Sequence, residues 1–169
     1  MTEEIKDITI EGHKKFGPDL YMRTWELMEK ENRTPDENDE MIQCAHASLY
    51  HWTHLKGHID DEKWRNAFAI GHSQISYAYL EVGNAERALY HAQRCLEYFE
   101  KYAAGGFPDA YGYDNLAKAY DLAGETEKRD EATRKAIEAG NKIEDENFRN
   151  SFFEELSTVG GYEEVKAGM

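Results

Sequence analysis

His51, His54 and His58 stand three and four positions apart. On a helix that spacing aligns the three imidazoles along one side, where they could hold a transition metal such as zinc or nickel. Cys44 and Ala47 extend the same stripe backward. A straight helix, however, separates His51 from His58 by about 10 Å of rise, and one zinc with bonds near roughly 2.1 Å cannot span it. A metal site would therefore pair His54 with His51 or His58 and recruit a group from outside this helix. Asp61 and Glu62 are among the nearest carboxylates in sequence. The competing reading is a face packed on a neighbouring helix or simply wet, and the small Cys44 and Ala47 favour packing at their end. His46, His72 and His91 read as hydrogen-bonded structural histidines. Catalysis finds less support. Cys44 and His51 lie two turns apart, about 10 Å along a helix and too far for a direct proton relay. Gly105-Gly106 is a bare linker rather than a phosphate loop, and no serine sits in a nucleophile elbow. The reading is a non-catalytic protein without a cofactor, with a metal-dependent enzyme or metal sensor on the histidine face as the alternative.

The elements that must position these residues are helices. Thr34-Pro35-Asp36-Glu37 combines a capping Thr, a Pro suited to the first helical position and a Glu that completes a capping box. The helix that follows carries Met41, Ala45, Leu49 and Trp52 as its core stripe and ends at Gly57. Pro18 is expected to open the first helix, with Leu20, Met22, Trp25, Leu27 and Met28 along its apolar side, and Pro108 to open the fifth. Asp60 or Asp61 starts the third helix, and Asn84 caps the fourth. A seventh carries Phe148, Phe152, Leu156 and Val159 as one stripe that covers the end of the stack. On this reading residues 1–16 are a loose lead-in, 17–159 form a single domain and 160–169 are a frayed tail.

The strongest organising signal is an internal repeat. The stretch 69–97 recurs 41 positions later as 110–138, with Ala69/Ala110, Gly71/Gly112, Ala78/Ala119, Tyr79/Tyr120 and Gly83/Gly124 identical. Gly71 and Gly112 fall inside helices, where close approach of a second helix is the expected reason for them. The sets Ser76, Tyr79, Gly83 and Ala117, Tyr120, Gly124 resemble the first-helix signature of the tetratricopeptide repeat (TPR). Ala88 matches the small residue of the second helix, and Arg129 replaces it in the next unit. The period exceeds the family's usual length of about 34 residues, and 102–107 accommodate the excess as a linker. The resemblance covers about half of the chain. It implies an all-α, right-handed TPR-like array of about three helix pairs plus a C-terminal capping helix. It also implies a groove for a protein or peptide partner, lined by set positions of each first helix. Carried over residue by residue, these are Ser73, Tyr77 and Glu81, then Tyr111, Asp114, Lys118 and Asp121. A solvated helix face is the competing reading for all seven.

Composition narrows the partners. The 169 residues carry a formal net charge of −14, which argues against nucleic acid and anionic membranes and favours a basic or neutral protein. Eleven Tyr, seven Phe and three Trp supply a core and argue against disorder. Cys44 and Cys95 read as small buried thiols in a reducing cytoplasm. The chain shows no apolar signal core and no run long enough to span a membrane. Self-association as a homo-oligomer is a third alternative.

Overall fold

A computed structural model describes residues 9–102 and 108–169. The expected linker at 103–107 and the first eight residues of the lead-in lie outside the described residues. Among the described residues eight helices follow one another: α1 (Ile10–Met28), α2 (Pro35–Thr53), α3 (Asp61–Glu81), α4 (Ala85–Tyr102), α5 (Pro108–Ala123), α6 (Thr126–Gly140), α7 (Glu146–Leu156) and α8 (Tyr162–Ala167). There is no strand among the described residues. No described helix is long and apolar enough to cross a membrane.

The helix starts follow from side chains that satisfy the first free amides. Thr34 Oγ1 accepts from the Glu37 amide at 3.3 Å while Glu37 Oε2 accepts from the Thr34 amide at 2.9 Å, the reciprocal capping box that the sequence predicts. Asp60 caps α3 through the Lys63 amide, Asn84 caps α4 through the Arg87 amide, and Asp145 caps α7 through the Phe148 amide.

Pro18 does not open α1. The helix begins at Ile10, capped by Thr9, whose hydroxyl accepts from the Gly12 amide at 3.1 Å, and Pro18 lies inside it. Residues 10–16 are therefore helix and not loose lead-in. Gly17 eases the clash that proline imposes on the residue before it. The same glycine brings α1 close to α2. A Cβ there would sit 3.2 Å from the Trp52 indole nitrogen, and Ser48 Oγ donates to the Gly17 carbonyl at 2.7 Å.

The repeat is visible in the backbone. Gly83 and Gly124 take φ of +73° and +74°, the left-handed geometry that ends a helix. The amides that follow them, Asn84 and Glu125, donate back to the Tyr79 and Tyr120 carbonyls, both at 2.9 Å. Asn32 and Gly161 supply positive φ in the α1–α2 and α7–α8 connections. Gly71 and Gly112 do mark close approaches: a Cβ would lie 2.8 Å from Leu49 Cδ1 at the first and 2.7 Å from Leu96 Cδ2 at the second. Each of the two glycines thus receives a leucine from the helix before its own. Ser76 Oγ donates to the Ala88 carbonyl at 2.8 Å, so these two small motif residues join α3 to α4.

Each helix packs on its successor from α1 to α6, and α6 carries both α7 and α8. The odd helices also touch, α1 with α3 and α3 with α5, and line one side of the stack. Leu27, Met41, Ala45, Ile75 and Ala78 form one core cluster at the α1–α3 end, and Ala117, Ala136, Phe152, Leu156 and Tyr162 belong to another at the opposite end. The C-terminal segment beyond Gly160 is not a frayed tail. Tyr162 and Val165, three apart on α8, are buried, so the stack ends in two helices rather than one. Phe148, expected in the buried stripe of α7, is 55% exposed in its first turn, whereas Phe152, Leu156 and Val159 are buried. Met22, expected in the apolar side of α1, is also exposed.

Arg129, the residue that departs from the repeat, explains the position of α8. Its guanidinium pairs with Asp121 at 3.3 Å, and Asp121 accepts from the Gly160 amide at 3.1 Å. A Cβ on Gly161 would lie 2.5 Å from Arg129 Nη2, in a residue whose φ is +72°. Gly161→Ala should therefore cost more than the roughly 1–2 kcal/mol of left-handed strain alone. Gly83→Ala carries the same strain with nothing within 4 Å of the new carbon. Thermal melts of the two variants make the comparison, and equal losses would show that the guanidinium moves aside at no cost.

Candidate functional site

Three helices, α1, α2 and α3, line an open cavity of about 540 Å³. Pro18, Tyr21 and Met22 come from α1, Ser48 and Trp52 from α2, and Ala67, Ile70 and Gly71 from α3. The first turns of α3 add Asp60, Glu62, Lys63 and Asn66. The walls are mostly hydrocarbon and aromatic, with polar groups gathered toward the start of α3. A volume in the range of about 300–1,000 Å³ with that balance is what ligand sites show. Beside the cavity, α1 approaches α2 at Gly17 under Trp52, and Gly71 of α3 is buried against Leu49. Met22 and Ile70 are 57% and 41% exposed at its mouth. Lys63 Nζ lies 5.3 Å from the centre of the Trp52 ring. Asn66 Oδ1 is buried and has no hydrogen-bond partner.

The seven groove residues expected from the repeat divide into two groups. Ser73, Tyr77, Tyr111, Asp114 and Lys118 meet where α3 crosses α5, four of them half-buried and one, Asp114, interior. Asp114 is fully buried, against the expectation of an exposed concave face. It accepts from Lys118 Nζ at 2.8 Å and from the Tyr77 hydroxyl at 3.3 Å, and Lys118 also donates to Tyr77. Glu155 on α7, absent from the sequence reading, closes the network by accepting from Lys118 at 3.0 Å. Burial pushes the Asp114 carboxyl up, and the adjoining ammonium pulls it back. Burial lowers Lys118 in turn, offset by Asp114. Burial also raises Glu155. The inward turn has a plain reason: the ring of Tyr77 packs 5.9 Å from Trp25 of α1, leaving its hydroxyl to point toward α5. Ser73 accepts from Asn115 Nδ2 at 3.0 Å, and Tyr111 meets Phe152 edge-on at 5.2 Å. Glu81 and Asp121 stand apart at the helix-pair ends, bound to Arg33 and Arg129. Replacing Tyr77, Asp114 and Lys118 would thus disturb the fold, contrary to their reading as surface.

The histidines form a pattern that spacing on one helix does not reveal. His13 of α1 meets His51, Nδ1 to Nδ1, at 2.9 Å, one ring donating and the other accepting. The His54 ring stacks on His13 with centroids 4.8 Å apart and planes 4° from parallel. His54 Nδ1 lies 2.8 Å from the Tyr50 carbonyl, an oxygen to which it can only donate. His58 is exposed beyond Gly57 and away from both. The group that joins His51 and His54 from outside is therefore an imidazole and not Asp61 or Glu62, and the near end of the stripe is a packed face. Among the described residues no group of three or more His, Cys, Asp or Glu side chains is placed to hold a metal ion. A second trio lies between α2, α3 and α4. His72 and His91 meet Nδ1 to Nδ1 at 2.9 Å, and His46 packs against His91 and hydrogen-bonds the Tyr79 hydroxyl at 3.2 Å. Burial lowers His72 to about 4 and His91 to about 3, so both rings are neutral at pH 7. The thiols are not activated either: burial raises Cys44 and pushes Cys95 up to about 12.

No family model, curated protein or solved structure matches the chain.

Proposed function

We propose that the chain is a non-catalytic binding module, a right-handed TPR-like array whose odd helices present a binding surface to a protein or peptide. Two matching helix-ending turns 41 residues apart support the repeat. The buried motif residues Ser76, Ala88 and Ala117 agree with it. The observation that carries the binding role is the cavity of about 540 Å³ among α1, α2 and α3, because two of the odd helices, α1 and α3, line it. The groove moves accordingly from the α3–α5 crossing, which is filled by its own ion pair, to the α1–α3 end.

The test uses residues at the cavity mouth that the fold does not need. Met22→Lys with Ile70→Lys should change stability by less than about 1 kcal/mol in total, since both side chains are exposed. Immobilised wild-type protein and this variant are compared for the partners they retain from source-cell extract. Tyr90→Lys, at an exposed large apolar residue outside the cavity, serves as the control. The double variant should lose its specific partner by about tenfold or more, as removal of a central anchor does, while Tyr90→Lys keeps it. Identical retention by all three proteins would refute the cavity as the binding surface.

A further inference from the structure

Resting on the reading of the cavity as a peptide site, we propose that it takes a basic, amphipathic segment: an apolar side chain inside, with Lys or Arg beside it at the start of α3. Three observations converge on that chemistry. The wall is apolar, formed by Pro18, Trp52 and Ala67 with Ile70 at the mouth, and fits a hydrocarbon or aromatic group. The polar end carries two carboxylates, Asp60 and Glu62, both on exposed residues, in a chain of net charge −14. One of its members, Asn66, has a buried amide oxygen without a donor, which a ligand N–H satisfies once the side chain turns toward the cavity. The one cation in the lining, Lys63, does not reverse the balance. Its ammonium already lies toward the face of Trp52, which shows that this indole face accepts a positive charge, and its exposed side chain can swing into solvent as a ligand cation takes its place. A carboxylate ligand would have to approach Asp60 and Glu62 and would bring no donor to Asn66.

Three blocked tripeptides test the assignment: Lys-Phe-Lys, Glu-Phe-Glu and Lys-Gly-Lys, titrated into the full chain while amide NMR shifts are followed. Lys-Phe-Lys should move Ile70, Ala67 and the Asn66 side-chain amide, and bind about tenfold or more tightly than either other peptide. Glu62→Lys, at an exposed position, should weaken it several-fold, and Asn66→Leu about tenfold, with unchanged melting temperature for the former. The inference is overturned if Glu-Phe-Glu binds as well, which would make Lys63 the recognition group, or if Lys-Gly-Lys does, which would make the attraction one of net charge. It is also overturned if none of the three shifts Ile70. In that last case, continued dependence of partner retention on Met22 and Ile70 would leave the binding-module reading standing and remove only the basic, amphipathic ligand.

Discussion

Phe152→Ala should destabilise the protein by about 3–5 kcal/mol, or about 6–20 °C in melting temperature for a domain of this size. The side chain is fully buried and belongs to the core at the α5–α8 end. Its ring stands edge-on to Tyr111 of α5 at 5.2 Å and packs over Gly140 at the end of α6, where an added Cβ would overlap it. One residue of α7 thus ties together three helices, and truncation leaves a void that two rigid helix backbones cannot close. Phe148→Ala, four positions earlier and exposed, is the internal control and should cost far less. Denaturant unfolding of both variants measures the difference. Comparable losses would mean that α7 is held by its first turn and not by the core.

Acid should be the second large lever. His72 and His91 are lowered to about 4 and about 3, and His13, His46 and His51 are also lowered, in each case chiefly by burial. A base whose folded pKa is depressed binds fewer protons folded than unfolded. Its stabilising contribution is therefore complete above the unfolded value of about 6.5 and is lost as pH falls from there toward the folded value. Around the second trio the guanidinium groups of Arg87 and Arg94 act in the same direction as burial. The half-buried residues limit the effect, because water reaches His72 and screens it. About 2–4 kcal/mol should be lost between pH 7 and pH 4, well short of the full linkage value of about 1.4 kcal/mol per unit for both rings. Asp114 and Glu155, both raised by burial, work in the opposite direction as pH falls. A His72→Asn, His91→Asn variant separates the contributions: its melting temperature should fall less from pH 7 to pH 4 than that of the wild type. Parallel profiles would place the acid sensitivity elsewhere.

Most helix starts were legible because capping is local. Thr34 and Glu37 satisfy one another within four residues, and Asn84 reaches the Arg87 amide three residues on. The repeat was legible for the same reason: the glycines at 83 and 124 encode a turn by themselves. What escaped depended on contacts distant in sequence. Pro18 suggested a helix start because nothing nearby shows that Gly17 sits beneath Trp52, 35 positions ahead. That one misplacement hid His13, since a histidine in a loose lead-in has no face to share with His51. Gly160-Gly161 looked like the end of order, and only Arg129 and Asp121 from the previous pair make it a turn with a helix after it. Asp114 and Lys118 read as groove lining, but Asp114 is buried beneath Lys118, which Glu155 on α7 holds from a helix distant in sequence. The cavity had no linear signature at all. Trp52 and Met22 read as ordinary core positions, and the cavity exists only where three helices meet.

The two copies of the repeat are not interchangeable parts. Ala88 is fully buried and its carbonyl accepts from the Ser76 hydroxyl, so it closes its own helix pair. Arg129 at the equivalent position reaches forward and holds the Gly160–Gly161 turn, which leaves room for a short closing pair and no side chain in its place. One position thus does two jobs: in one copy a small side chain packs its helix pair, and in the other a long cation ties its pair to the turn that follows.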